Sequence, residues 1–171
     1  MEKIKTLVDL SNLNFSDGSS LDENPDLGNL FLVLVRHSGC TFCRETVFGL
    51  AQNLKKLANL NYKPILVHMG PKEDSSFYRE SFRLGDLEIV SDPKKVFYKA
   101  FGARRGNLLE VLSPKVIWRG VASGALKKHG IGSAKDDVFQ LGGIYSVENG
   151  EAYVIHRPKN AADGFDWSKL P

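Results

Sequence analysis

The only two thiols in this 171-residue chain stand three positions apart, in Arg36-His37-Ser38-Gly39-Cys40-Thr41-Phe42-Cys43-Arg44-Glu45. A thiol at the start of a helix faces unpaired N–H groups and the positive end of the helix dipole, so it ionises below the ~8.5 of a free cysteine. A second thiol one helical turn on comes round to the same side, at a separation suited to a disulfide with Cα atoms ~5.5 Å apart. Cys40, nearer the helix start and solvent, is therefore the expected nucleophile, and Cys43 the residue that resolves what Cys40 forms. Arg36, His37 and Arg44 bring up to three cationic groups within a few residues, where they would stabilise a thiolate. His37 reads equally well as a cap on the preceding strand. Ser38, Gly39, Thr41 and Phe42 are the expected substrate-pocket residues beside the sulfurs.

Other uses of a C-x-x-C spacing fit less well. Inert core thiols would be flanked by core residues rather than by Gly, Thr and charges. Zinc wants about two further ligands, and His37, His68, His129 and His156 are scattered, so no metal is expected. Covalent haem attachment needs His at position 44, where this chain has Arg. No glycine-rich loop lies between a strand and a helix, so no nucleotide cofactor is expected. His68, ending an apolar strand, reads as structural, and His156 could face either way. Trp118 and Trp167 read as packing residues.

The elements around the motif follow from hydrophobic periodicity. Residues 30–36 form a continuous apolar run, as a strand buried on both faces requires. From 41 to 59, Val47, Leu50, Ala51, Leu54, Leu57 and Ala58 recur at three- and four-residue spacing, which predicts a helix. A second buried strand is expected over 63–69 and a helix over 75–84, with Gly85 at its C-terminal cap. A short strand at 87–90 and a helix at 94–101 follow. Residues 143–147 and 151–156 flank Asn149-Gly150, a strong hairpin signal. Residues 6–15, the Asp17-Gly18 turn and the stretch to 29 predict a strand or hairpin extension, 103–132 a mixed insertion, and 157–171 an irregular tail packing Phe165 and Trp167 on the body. Alternating strands and helices followed by a hairpin predict an α/β sandwich: a central mixed sheet with helices on both faces.

Composition agrees with one soluble domain over 1–171: 42% of residues are hydrophobic and 25% charged, enough for a core without disulfides or metal. The longest apolar run is far shorter than the ~20 residues of a membrane helix. With no signal-peptide core at the start, a reducing, cytoplasmic setting is expected and no membrane partner. The net charge of +3 is uneven, since residues 94–128 hold nine Lys and Arg against Glu110 alone. That segment could hold an acidic partner. Nucleic acid is not expected, because no aromatic residues interleave with the charges as a reading surface needs.

The strand, the C-x-x-C at a helix start, the later strands and the Asn-Gly hairpin resemble the thioredoxin superfamily. Arg36-His37-x-x-Cys40-x-x-Cys43-Arg44-Glu45, Asp92-Pro93 before a helix, Phe101-Gly102 and Gly142-Gly143 resemble peroxiredoxin-like proteins of the alkyl hydroperoxide reductase/thiol-specific antioxidant type. The resemblance implies a thioredoxin-like three-layer fold and a thiol-dependent antioxidant role. The substrate would be a peroxide or a disulfide, and the reductant an external thiol of the thioredoxin, glutaredoxin or glutathione type. The alternative is a redox-inert thioredoxin-like binding module, or a redox sensor, that engages a partner through 94–128. Typical peroxiredoxins carry Pro-x-x-x-Thr-x-x-Cys; counting back from Cys40, this chain has His37 at the Thr and Val33 at the Pro. Their distal Arg falls on Gly142, close to where thioredoxins place a cis-proline. A glycine at 142, with Gly143 beside it, would let the backbone approach the sulfurs.

Overall fold

The computed structural model describes residues 2–4, 10–21, 28–108, 110, 118, 137 and 139–170. Among these, six strands form one mixed sheet in the order β1-β6-β5-β2-β3-β4. Its centre is β2 (Asn29–Val35), of which all but Asn29 is buried, as a strand covered on both faces should be. β2 runs parallel to β3 (Tyr62–His68), and β3 runs parallel to β4 (Glu88–Ser91). On the other side β5 (Gly143–Glu148) and β6 (Glu151–His156) pair as an antiparallel hairpin. Asn149 and Gly150 at its turn have φ of 52° and 79°, left-handed geometry that Asn and Gly tolerate best. β1 (Glu2–Lys3) closes the edge against β6.

α1 (Thr41–Asn59) and α2 (Glu73–Phe82) cover one face, packing Val47, Leu50, Leu57 and Tyr78 on Phe31, Val33, Val35 and Leu66. α3 (Val96–Ala100) covers the other, where Phe97, Tyr98 and Phe101 meet Leu32, Leu34, Ile65 and Tyr145. Alternate residues of β2 thus feed two separate cores, as the period of two in a strand dictates. The expected α/β sandwich, a central mixed sheet with helices on both faces, is what forms.

Several boundaries differ for local reasons. α2 starts ahead of residue 75 and ends at Phe82, because Arg83 takes the left-handed conformation (φ 54°) and stops the helix before Gly85 is reached. The Asp17-Gly18 turn forms, with Asn14 bridging Ser20, but Leu10–Asn12 is a short 3-10 turn where a strand was expected. Residues 6–9, most of 103–132 and basic residues 115, 119, 127 and 128 lie outside the described part. Phe165 and Trp167 of the tail pack on the α1 face as expected.

Candidate active site

At Val35 the central strand stops, and Arg36 begins a bend through His37, Ser38 and Gly39 into α1. The Cys40 N–H closes this bend on the His37 carbonyl at 3.1 Å, and Arg44 N–H then bonds to the Cys40 carbonyl at 3.0 Å as the first helical turn. Cys40 is therefore the N-cap, in extended conformation (φ −82°, ψ 115°), and its Sγ accepts the Cys43 N–H at 3.3 Å. Sulfur here takes the place that a Ser or Asp oxygen usually fills.

Arg36 touches both sulfurs. Its guanidinium Nη2 lies 2.9 Å from Cys40 Sγ, and its backbone N–H donates to Cys43 Sγ at 3.3 Å. All three residues are buried: Cys40 is 6%, Cys43 7% and Arg36 8% exposed. Water therefore screens this contact little. Burial disfavours the guanidinium charge, yet the two sulfurs' negative charge and hydrogen bonds outweigh it and raise the Arg36 pKa above its usual value.

The thiols behave as one proton-sharing unit. Burial pushes the Cys40 thiol well up, and its hydrogen bond to Cys43 and the charge there push it further. Burial also opposes ionisation of Cys43, but the hydrogen bond from Cys40, the Arg36 charge and the Arg36 N–H bring it down to about 6. The sequence expectation is that Cys40 ionises first; the helix N-terminus favours negative charge at either thiol, and the Arg36 guanidinium meets Cys40 Sγ while the Arg36 backbone N–H meets Cys43 Sγ.

A cavity of about 50 Å³ opens beside Cys43, lined by the end of β2, the first turns of α1, residues 141–144, His156 and part of the tail. That is room for one or two water-sized groups. Of the residues expected to flank a substrate, Phe42, Gly142 and Gly143 line this cavity, whereas Ser38, Gly39 and Thr41 do not. Gly142 is needed there for a reason other than the one anticipated. A Cβ on it would lie 2.1 Å from the Leu34 carbonyl oxygen, so it permits close approach to the β2 backbone.

The remaining cations divide. Arg44 donates its Nε to the Ser38 carbonyl at 2.5 Å and lies over the Phe77 ring at 5.0 Å, so it braces the bend. His37 is buried and contributes its carbonyl to Cys40. In the basic segment, Lys95 and Arg105 pair with Asp137 at 2.6 and 2.5 Å, and Arg104 pairs with Glu110 at 2.8 Å, so part of that charge serves the fold.

Sequence reasoning passed over Thr46, Leu141, Ile144 and Phe165 on the cavity wall, and Tyr78 in the core that holds the sulfurs. Tyr78 is fully buried in the same core as the sulfurs, and burial, then the Cys43 and Cys40 charges, hold its hydroxyl neutral. Buried aromatic positions look alike in sequence whether they back a site or fill a core. His68 is structural as expected: fully buried, with Nε2 2.8 Å from Ser75 Oγ.

The family described as AhpC/TSA antioxidant enzyme matches residues 49–160. That match begins inside α1, past both cysteines, so the body of the chain carries it rather than the motif. No curated protein matches the chain in sequence. Among solved structures it is similar to the peroxidoxin BcpB from Mycobacterium tuberculosis, at 19% identity and a TM-score of 0.51 over 63% of this chain and 71% of that one. It is also similar to the reduced 2-Cys peroxiredoxin from Plasmodium vivax, at 14% and 0.53 over 86% and 78%. A secreted Mycobacterium tuberculosis disulfide oxidoreductase, described as homologous to E. coli DsbE, matches at 10% and 0.53 over 92% and 88%. At such identities the likeness is one of fold.

Proposed function

The chain belongs to the AhpC/TSA antioxidant enzyme family, and from that premise we propose that it is a thiol-dependent redox enzyme whose Cys40 and Cys43 cycle between dithiol and disulfide as they reduce a peroxide or a disulfide. The observation that carries this reading is the single Arg36 in contact with both buried sulfurs. A buried cation facing two thiols favours one thiolate at neutral pH, and thiolate is the attacking form.

Cys43 takes the first attack in this scheme and Cys40 resolves. Two features favour that order: Cys43 lines the cavity, and its pKa is brought down to about 6. With a hydroperoxide, the Cys43 S–O bond forms as the O–O bond breaks, and the departing alkoxide or hydroxide takes a proton. The sulfur is oxidised to a sulfenic acid and the peroxide reduced to an alcohol or water. Cys40 sulfur then attacks Cys43 sulfur; the S–S bond forms, the S–O bond breaks, and the oxygen leaves as water with the Cys40 proton. An external thiol reductant restores both thiols with two electrons and two protons. With a disulfide substrate, Cys43 forms a mixed disulfide and Cys40 releases it.

Single-cysteine variants test both the pair and the order. Reduced protein treated with hydrogen peroxide should lose both thiols and two hydrogens of mass while running as a monomer on a nonreducing gel. Cys40→Ser should still give a sulfenic acid that dimedone traps, without turnover, and Cys43→Ser should give none. Trapping only in Cys43→Ser would exchange the two roles. Two unreactive thiols in the native wild type would remove the redox reading.

A further inference from the structure

Much of the cavity wall beside Cys43 comes from a segment that the chemistry does not require. Pro158, Asn160, Ala161, Asp163, Gly164 and Phe165 all line it. This stretch is irregular, yet it is fastened at several points. The Asp163 carbonyl oxygen lies 3.0 Å from His156 Nε2, which must therefore carry a proton, and the Asp163 carboxylate accepts the Lys159 N–H at 2.8 Å. Ala161 N–H bonds to the Glu110 carbonyl at 2.9 Å. The Phe165 ring stands 5.8 Å from His156 and meets Trp167 edge-on at 5.1 Å.

Trp167 in turn is seated on α1 at a position shaped for it. A Cβ on Gly49 would lie 2.0 Å from the indole Nε1, so only a glycine lets the ring settle there. The ring also approaches Phe31 at 6.3 Å, and Lys56 Nζ reaches the Leu170 carbonyl at 3.4 Å. Gly49 lies mid-helix, where glycine is less favourable than alanine, so seating the indole comes at the helix's expense.

Attack on a disulfide needs three sulfurs nearly in line, with peptide chain on both sides of the target bond. Attack on a hydroperoxide needs only the O–O end to enter. Both sulfurs are less than a tenth exposed, and the cavity is about 50 Å³. We propose, resting on the redox reading above, that residues 158–167 form a size screen anchored by Trp167, which lets slender hydroperoxides reach Cys43 and keeps the disulfides of folded proteins away. Trp167 acts as a positioning residue, setting specificity through the tail without touching substrate.

The test compares two oxidants on the full-length reduced protein: hydrogen peroxide, and the disulfides of insulin. The wild type should be oxidised by peroxide and leave insulin intact. Trp167→Ala, and independently Gly49→Ala, which displaces the indole while favouring the helix, should raise insulin reduction about tenfold with peroxide rates within about twofold. Trp167→Phe should restore the wild-type ratio. Wild-type protein that reduces insulin as readily as peroxide, or loosened variants with an unchanged ratio, would overturn the screen while leaving the redox reading standing. Thiols inert to both oxidants would remove the redox reading, and the screen with it.

Discussion

At the junction of β2 with α1, a sulfur accepts a first-turn N–H, that of Cys43, at 3.3 Å. At the junction of β4 with α3, the Asp92 carboxylate does the same, taking the Val96 and Phe97 N–H groups at 2.8 Å each. Both caps are buried, with Cys40 6% and Asp92 5% exposed. For Asp92, burial raises the pKa although backbone N–H groups pull it down, and both of its oxygens are committed to the helix. The cysteine junction adds a second ionisable group one turn on, a buried Arg36 whose guanidinium meets one sulfur and whose backbone N–H meets the other, and a cavity beside one of them. A helix N-terminus is thus only a cap; the added cation and the open cavity turn the same geometry into a reactive site.

Removing the added cation should collapse the difference. Arg36→Met removes the counter-charge but keeps the backbone N–H and the Cys40 contact, so the Cys43 pKa should rise from about 6 toward the ~8.5 of a free cysteine. At pH 7 the thiolate fraction, and with it the peroxide oxidation rate, should fall about tenfold or more. Stopped-flow oxidation against pH reads this directly. A rate at pH 7 within a few-fold of wild type would show that Arg36 does not hold the anion.

The acid dependence of stability should part from that of reactivity, because it belongs to a different residue. Burial holds His68 at about 4, below its ordinary 6.5, despite the nearby Asp74. The unfolded chain binds that proton first, so His68's contribution is complete above pH 6.5 and is lost as pH falls toward 4. By pH 4.5 the loss should amount to about 2–3 kcal/mol, and His68→Gln should flatten this part of the urea-midpoint profile. Equal slopes in wild type and variant would assign the acid sensitivity elsewhere. Thiol reactivity, by contrast, should be lost as pH falls through about 6 in both proteins.

The smallest effect sharpens the comparison from its other side. Asp92→Ala removes a cap and should cost about 1–2 kcal/mol of stability. Thiol oxidation in the folded variant should keep its wild-type pH profile. A shifted profile would mean that the two junctions are coupled through the sheet.

The sequence made the scaffold readable where its patterns were periodic or punctuated. The apolar stripe of α1 matches Thr41–Asn59 end to end, and Asn149-Gly150 placed the β5–β6 hairpin. The C-x-x-C motif and Arg36 were also legible, since a cation four positions before a helix-capping cysteine can fold back on it. Less visible was anything decided by side-chain direction. Arg44 is closer to the thiols in sequence than Arg36, yet it is held by Ser38 and Phe77. The cavity wall rests on tail residues more than a hundred positions away. Gly49 gave no signal either, because its partner Trp167 is fixed only by tertiary packing.

The pH dependence of alkylation at each cysteine, resolved by peptide mass spectrometry, tests the shared-proton site most directly. Labelling with iodoacetamide should begin on Cys43 with a midpoint near 6, while Cys40 stays unlabelled to far higher pH. Midpoints for both thiols near the ~8.5 of free cysteine would show that Arg36 and the helix start confer no activation, and the account would fail.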